Sequence, residues 1–229
     1  MLFLIKYAKL HKMTKTILQA VTGSVAYGLN HAASDIDKMS IFVAPTVEVA
    51  GLHWASRHES FSDAGPTGDD NTGHEIGKYL RLVLKSNPTL IELMFLNDYE
   101  ILDETGKGLI DLRDKILYTE GIRNAYYGYA KAQVERVKRE YPNHKPKMAR
   151  HAVRITHQGL ELLTLGTTNV RVSDSEWYFS MDEWPSDRLF SYMDAEVSLL
   201  NTAESVLRDK PDTRAVAEFL KDVRRSYID

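Results

Sequence analysis

The stretch that most limits what this chain can fold into is Val21-Thr22-Gly23-Ser24-Val25-Ala26-Tyr27-Gly28, followed after a short polar loop by Ser34-Asp35-Ile36-Asp37. Ile17, Leu18, Ala20 and Val21 read as a strand that stops at Gly23, where glycine lets the backbone turn and approach a ligand closely. Ser24 then falls where a helix begins, and a helix N-terminus offers unpaired N–H groups and a partial positive charge that suit a phosphate. Asp35 and Asp37 head a second apolar run, Ile36 to Val43, that predicts the next strand. Two residues apart in a strand means one face. Paired carboxylates resist joint ionisation unless a cation offsets them, and Mg²⁺ is typically held by one or two carboxylates together with substrate phosphates. The plain alternative is a turn glycine with a capping serine, followed by an Asp pair that merely opens a strand.

Gly-Ser, a spacer and Asp-Ile-Asp, in that order between two predicted strands, resembles the signature of the DNA polymerase β-type nucleotidyltransferase superfamily. Further stretches narrow the resemblance to the RlaP family, described as nucleotidyltransferases of that type associated with RNA repair. They are Ile41-Phe42-Val43-Ala44-Pro45, Glu75-Ile76-Gly77-Lys78-Tyr79 and Asn87-Pro88-Thr89-Leu90-Ile91-Glu92-Leu93, then Ile116-Leu117-Tyr118, Tyr129 to Gln133, and Lys147, His151 and Arg154. The likeness runs to about Gly166. It implies an α+β fold with a small mixed sheet and helices as catalytic domain, residues 14–113; the helical periodicity that sets in from Asp111 predicts a helical domain, 114–229. The likeness also implies metal-dependent transfer of a nucleoside monophosphate from a nucleoside triphosphate such as ATP, with two Mg²⁺ ions (Mn²⁺ as substitute) on Asp35 and Asp37. Glu75 is the expected third carboxylate, with Asp70 as fallback, and Gly23 and Ser24 are expected at the β/γ-phosphates. Val25 stands where many relatives carry Arg, so no phosphate contact is assigned to it. RNA or tRNA is the expected acceptor; a protein or small molecule is the alternative, and a non-catalytic nucleotide- or RNA-binding module the second.

Lys78 lies three residues after Glu75, on the same face of a helix, where it can meet a phosphate or simply pair with Glu75. Glu92 sits in an almost wholly apolar helix, Leu90 to Phe95, which predicts a buried, paired, structural carboxylate. Lys147, His151, Arg154 and Gln158 recur at i, i+4, i+7 and i+11 on a helix expected from Pro146 to Gly166. That stripe reads as a triphosphate-binding face or as a solvated basic face. The formal net charge of −3 gives no global reason for nucleic-acid binding. The segment Lys131 to Arg154 is nevertheless locally basic, with tyrosines interleaved, a pattern suited to a nucleic-acid backbone.

Elsewhere the pattern is architectural. His53 to Gly73 lacks periodicity and reads as a loop. Ile122, Tyr126, Tyr129, Gln133 and Val137 predict a long helix stopped by Pro142. Leu189 to Leu207 and Val216 to Tyr227 predict two closing helices. The absence of cysteine excludes disulfides and thiolate metal sites and fits a reducing compartment. Lys6, Lys9, His11 and Lys12 interrupt the apolar start, so no leader or membrane span is expected, and Met13 is a possible alternative start. A cytoplasmic protein with no membrane partner is expected.

Overall fold

The computed structural model describes residues 14–32, 34–52, 54–64, 70–143 and 146–228. The expectations for residues before Thr14, including the start at Met13, lie outside the described residues. Five strands form one mixed sheet: β1 Lys15–Val21, β2 Lys38–Val43, β3 Ser60–Ala64, β4 Asp70–Glu75 and β5 Ile101–Leu102, in the order β3-β4-β2-β1-β5. β1 runs antiparallel to β2 and β5, β2 parallel to β4, and β4 antiparallel to β3. This is the α+β core with a mixed sheet that the sequence implies.

β3 and β4 occupy what reads as a loop in the sequence. Asp70-Asn71-Thr72-Gly73-His74-Glu75 has no apolar alternation because β4 is fixed by its ladders to β2 and β3, and such pairing overrides weak local propensity. Gly73 has a specific job there: the Phe61 ring of β3 lies where a Cβ would stand.

One face of the sheet is apolar, with Leu18, Ala20, Ile41 and Val43 buried. Against it pack α1 Gly23–Tyr27, α3 Ile76–Val83, α4 Pro88–Glu92, α5 Glu104–Asp111 and α6 Arg113–Ile116, while α2 Thr46–Val49, which has no buried residue, follows β2; all belong to the same half of the chain. The helix expected at Ser24 is real but only one turn, five residues. Tyr79, Leu80 and Val83 of α3 and Leu90 to Phe95 are buried, as their spacing predicts.

The second half is helical: α7 Thr119–Glu140, α8 Pro146–Leu165, α9 Ser175–Ser180, α10 Ser186–Thr202 and α11 Thr213–Ser226. α7 and α8 pack along their lengths, and α10 lies on both. They meet tightly at Gly159, where an added Cβ would stand 2.9 Å from Tyr126 and from Leu200. α10 ends at Thr202, so Leu207 lies beyond it.

α11 returns to the sheet half and packs on α3, α5 and α6. Thr46 N donates to the Tyr227 carbonyl at 2.7 Å, and Arg224 pairs with Glu75 at 2.7 Å. Among the described residues no helix is long and apolar enough to cross a membrane.

Candidate active site

Gly23 has φ +66°, and a Cβ there would overlap the Asp37 carboxylate. A residue with a side chain therefore meets both backbone strain and a steric block, so the sequence places glycine. The turn is tied to the acidic segment through its backbone as well, Thr22 N donating to Asp37 O at 2.8 Å. Asp35 is exposed and Asp37 half-buried, both just ahead of β2.

These groups form one wall of a cleft of about 640 Å³. Ser24, Tyr27, Asp35 and Asp37 stand on the sheet side, and Tyr129, Gln133, Arg136, Lys147, Met148, Arg150, His151 and Arg154 come from α7 and α8. The structure thus brings Ser24, Asp35, Asp37, Lys147, His151 and Arg154 to one place although the chain separates them widely. Gly23 adjoins it through Asp37.

Glu75 and Lys78 are not part of it. Phe42 pairs with Glu75 along the parallel β2–β4 ladder, and an odd number of steps from Asp37 to Phe42 puts Glu75 on the opposite face as well as far along the strand. Its carboxylate, 2 % exposed, caps α3 by accepting from Gly77 N and pairs with Arg224. The expectation of Glu75 beside the Asp pair is corrected accordingly. Lys78 donates to Ser60 Oγ at 2.7 Å, on the β3 side of the sheet. Extending the same ladder by one residue from Lys38–Asn71 sets Asp70, exposed at the head of β4, next to Asp37.

The α8 stripe is neither a solvated face nor a row of free cations. Arg154 and Glu92 are 3 % and 1 % exposed and paired at 3.1 Å. Tyr27 Oη donates to the same carboxylate at 2.6 Å, and the Arg154 guanidinium lies 3.5 Å from the centre of the Tyr27 ring. Burial, reinforced by Glu92, drives the Tyr27 phenol pKa far up. Glu92 is thus the buried, paired carboxylate expected, and its partner is a residue expected at the triphosphate.

His151 is held down to about 4, first by burial and then by Arg154. It is therefore a neutral hydrogen-bonding group near pH 7, and its Nε2 lies 3.0 Å from Tyr129 Oη. Arg150 pairs with Asp182, and Arg136 donates to Glu140 at 2.8 Å. Lys138 donates to Asp194 at 2.6 Å. Much of the basic segment is thus neutralised in place; Lys145 lies outside the described residues. Lys147 is exposed at the cleft without a carboxylate partner among the described residues.

Tyr27, Gln133, Arg136, Met148 and Arg150 are cleft residues to which the sequence pattern assigned no individual role in the site. Tyr129, Gln133 and Arg136 at i, i+4 and i+7 are a legible face, but that spacing assigns Tyr129 and Gln133 to packing just as well. Tyr126, in the same series, is indeed core.

Among the described residues no group of three or more metal-ligating side chains is assembled. Asp35 and Asp37 are nonetheless hard oxygen donors of the kind Mg²⁺ and Mn²⁺ take, and substrate phosphates routinely complete such a shell. In comparison with known proteins, the family model RlaP, described as RNA repair pathway DNA polymerase beta family, matches residues 5–180. No curated protein matches the chain.

Proposed function

The chain belongs to the RlaP family, and on that premise we propose that it moves a nucleoside monophosphate from a nucleoside triphosphate to an acceptor hydroxyl, releasing pyrophosphate, with an RNA 3′ end as acceptor. The observation that carries this is the single cleft in which the Ser24 turn and the Asp35/Asp37 pair face Lys147 and His151.

Each group has a task its chemistry suits. Gly23 and Ser24 bring backbone N–H groups to the β- and γ-phosphates, at a turn short enough that contact matters more than any macrodipole. Lys147 meets the triphosphate as a point charge. Asp35 and Asp37 would hold Mg²⁺ with those phosphates; when bound, the metal neutralises the leaving pyrophosphate and polarises the acceptor oxygen. We assign the third carboxylate to Asp70 rather than Glu75; the Lys38–Asn71 register one residue away supports this. Arg154, tied to Glu92 and Tyr27, fixes α1 against α8 and so positions the Ser24 turn. His151 hydrogen-bonds without adding charge.

A second reading, transfer to a protein or small molecule, is favoured by one observation: in the basic segment that would track RNA, Arg136, Lys138, Arg150 and Arg154 are paired with Glu140, Asp194, Asp182 and Glu92. Incubation with Mg²⁺ or Mn²⁺, each α-labelled nucleotide in turn, and a mixture of cellular RNA and protein separates them. Label in RNA that disappears with Asp35→Ala/Asp37→Ala is the expected result. Label in protein moves the function to the second reading, and no label in any fraction, with every nucleotide, removes both.

A further inference from the structure

The two walls of the cleft differ in kind. The sheet-side wall carries the turn and the carboxylates; the helical wall carries Lys147, His151 and the paired arginines and, beside them, an aromatic ring, a thioether and an amide in Tyr129, Met148 and Gln133. A nucleoside triphosphate whose phosphates lie on the first wall directs its base to the second. This step rests on the nucleotidyl-transfer reading above.

Two tyrosines line the cleft, and Tyr27 has its ring covered by the Arg154 guanidinium. Tyr129 is left as the stacking surface, its ring set edge-on to His151 at 83° and its hydroxyl anchored on that histidine. Hydrogen-bonding groups on the helical wall are mostly engaged: Arg136 on Glu140, Arg150 on Asp182, Arg154 on Glu92. Gln133 is half-buried, one turn along α7 from Tyr129, and its side-chain amide has no hydrogen-bond partner among the described residues.

That amide offers one donor and one acceptor side by side. On the edge that carries N7, adenine presents the complement at N7 and N6, whereas guanine presents two acceptors at N7 and O6 and calls for a cationic double donor. A purine also covers more of an aromatic and thioether platform than a pyrimidine. We infer that Gln133, beside the Tyr129 platform, is the base-reading residue of the cleft and selects adenine, so that ATP is the nucleotide donor.

The test is calorimetric titration of the full chain in Mg²⁺ with the α,β-methylene analogues of ATP, GTP, CTP and UTP, which bind without transfer. The expected result is roughly tenfold tighter binding of the ATP analogue than of the GTP analogue, a difference of about 1.4 kcal/mol. Gln133→Ala should bring that ratio to about one, and Gln133→Arg, which supplies the double donor, should tilt it toward GTP. A circular dichroism melt confirms that each variant is folded. Equal binding of all four analogues overturns the assignment, as does an ATP preference that survives in folded Gln133→Ala. A GTP preference lost in Arg136→Ala overturns it in favour of Arg136. In each of these cases nucleotide binding still stands, whereas binding of none of the four removes the transfer reading as well.

Discussion

At the scale of single residues, the helical wall of the cleft works by keeping charge under control. Arg154 would be an uncompensated buried cation without Glu92, and Glu92 a buried anion without Arg154 and Tyr27, so the three stand together. His151 makes the complementary point, because its surroundings refuse the proton that an unfolded histidine accepts at an ordinary pKa of 6.5. Between pH 6.5 and about 4 the unfolded chain binds that proton and the folded chain does not, so stability falls as pH falls through this window. Thermal unfolding followed from pH 7 to pH 4 should show a smaller loss in His151→Gln than in the parent protein. An unchanged pH profile would mean that His151 is charged in the fold.

At the scale of elements, the strand-turn-helix unit β1–α1 and the strand β2 behave as one piece. Thr22 is bonded to Asp37 through the backbone, and the Asp37 carboxylate blocks the place of a Cβ on residue 23. Gly23→Ala should therefore cost about 1–2 kcal/mol for the left-handed backbone alone, read by urea unfolding. It should also weaken Mg²⁺–nucleotide binding by displacing Asp37, whereas Gly128→Ala, at an open helical position, should leave that binding unchanged. This unit was legible in the sequence because glycine, serine and two aspartates carry their meaning locally. The α8 stripe was legible as a face but not as chemistry: nothing near Arg154 in the chain shows that Glu92 will meet it. β3 and β4 were not legible at all, since polar residues become a strand there only through partners. With them was lost the distinction between Glu75 and Asp70, which depends on a register no single strand contains.

The whole molecule is held together across its length. α7 and α8 supply one wall of the cleft and the sheet half supplies the other, while α11 comes back to cap α3, α5 and α6. Trp54 reports on the sheet half and Trp177 and Trp184 on the helical half, so fluorescence of variants retaining one or the other group should give coincident unfolding transitions. Arg224→Ala should shift both transitions together, losing about 3–5 kcal/mol because Glu75 is left buried without its cation. If only the transition of the sheet half moves, the two halves unfold separately.

The Glu75–Arg224 pair also imposes an order on events in time. A ribosome releases Glu75, with the strand and helix on either side of it, long before it makes Arg224. Until then the carboxylate has, of its two partners in the fold, only the Gly77 N–H, and burying it without its cation is costly. The half of the molecule that carries Asp35 and Asp37 is thus the first to be made and among the last to be finished.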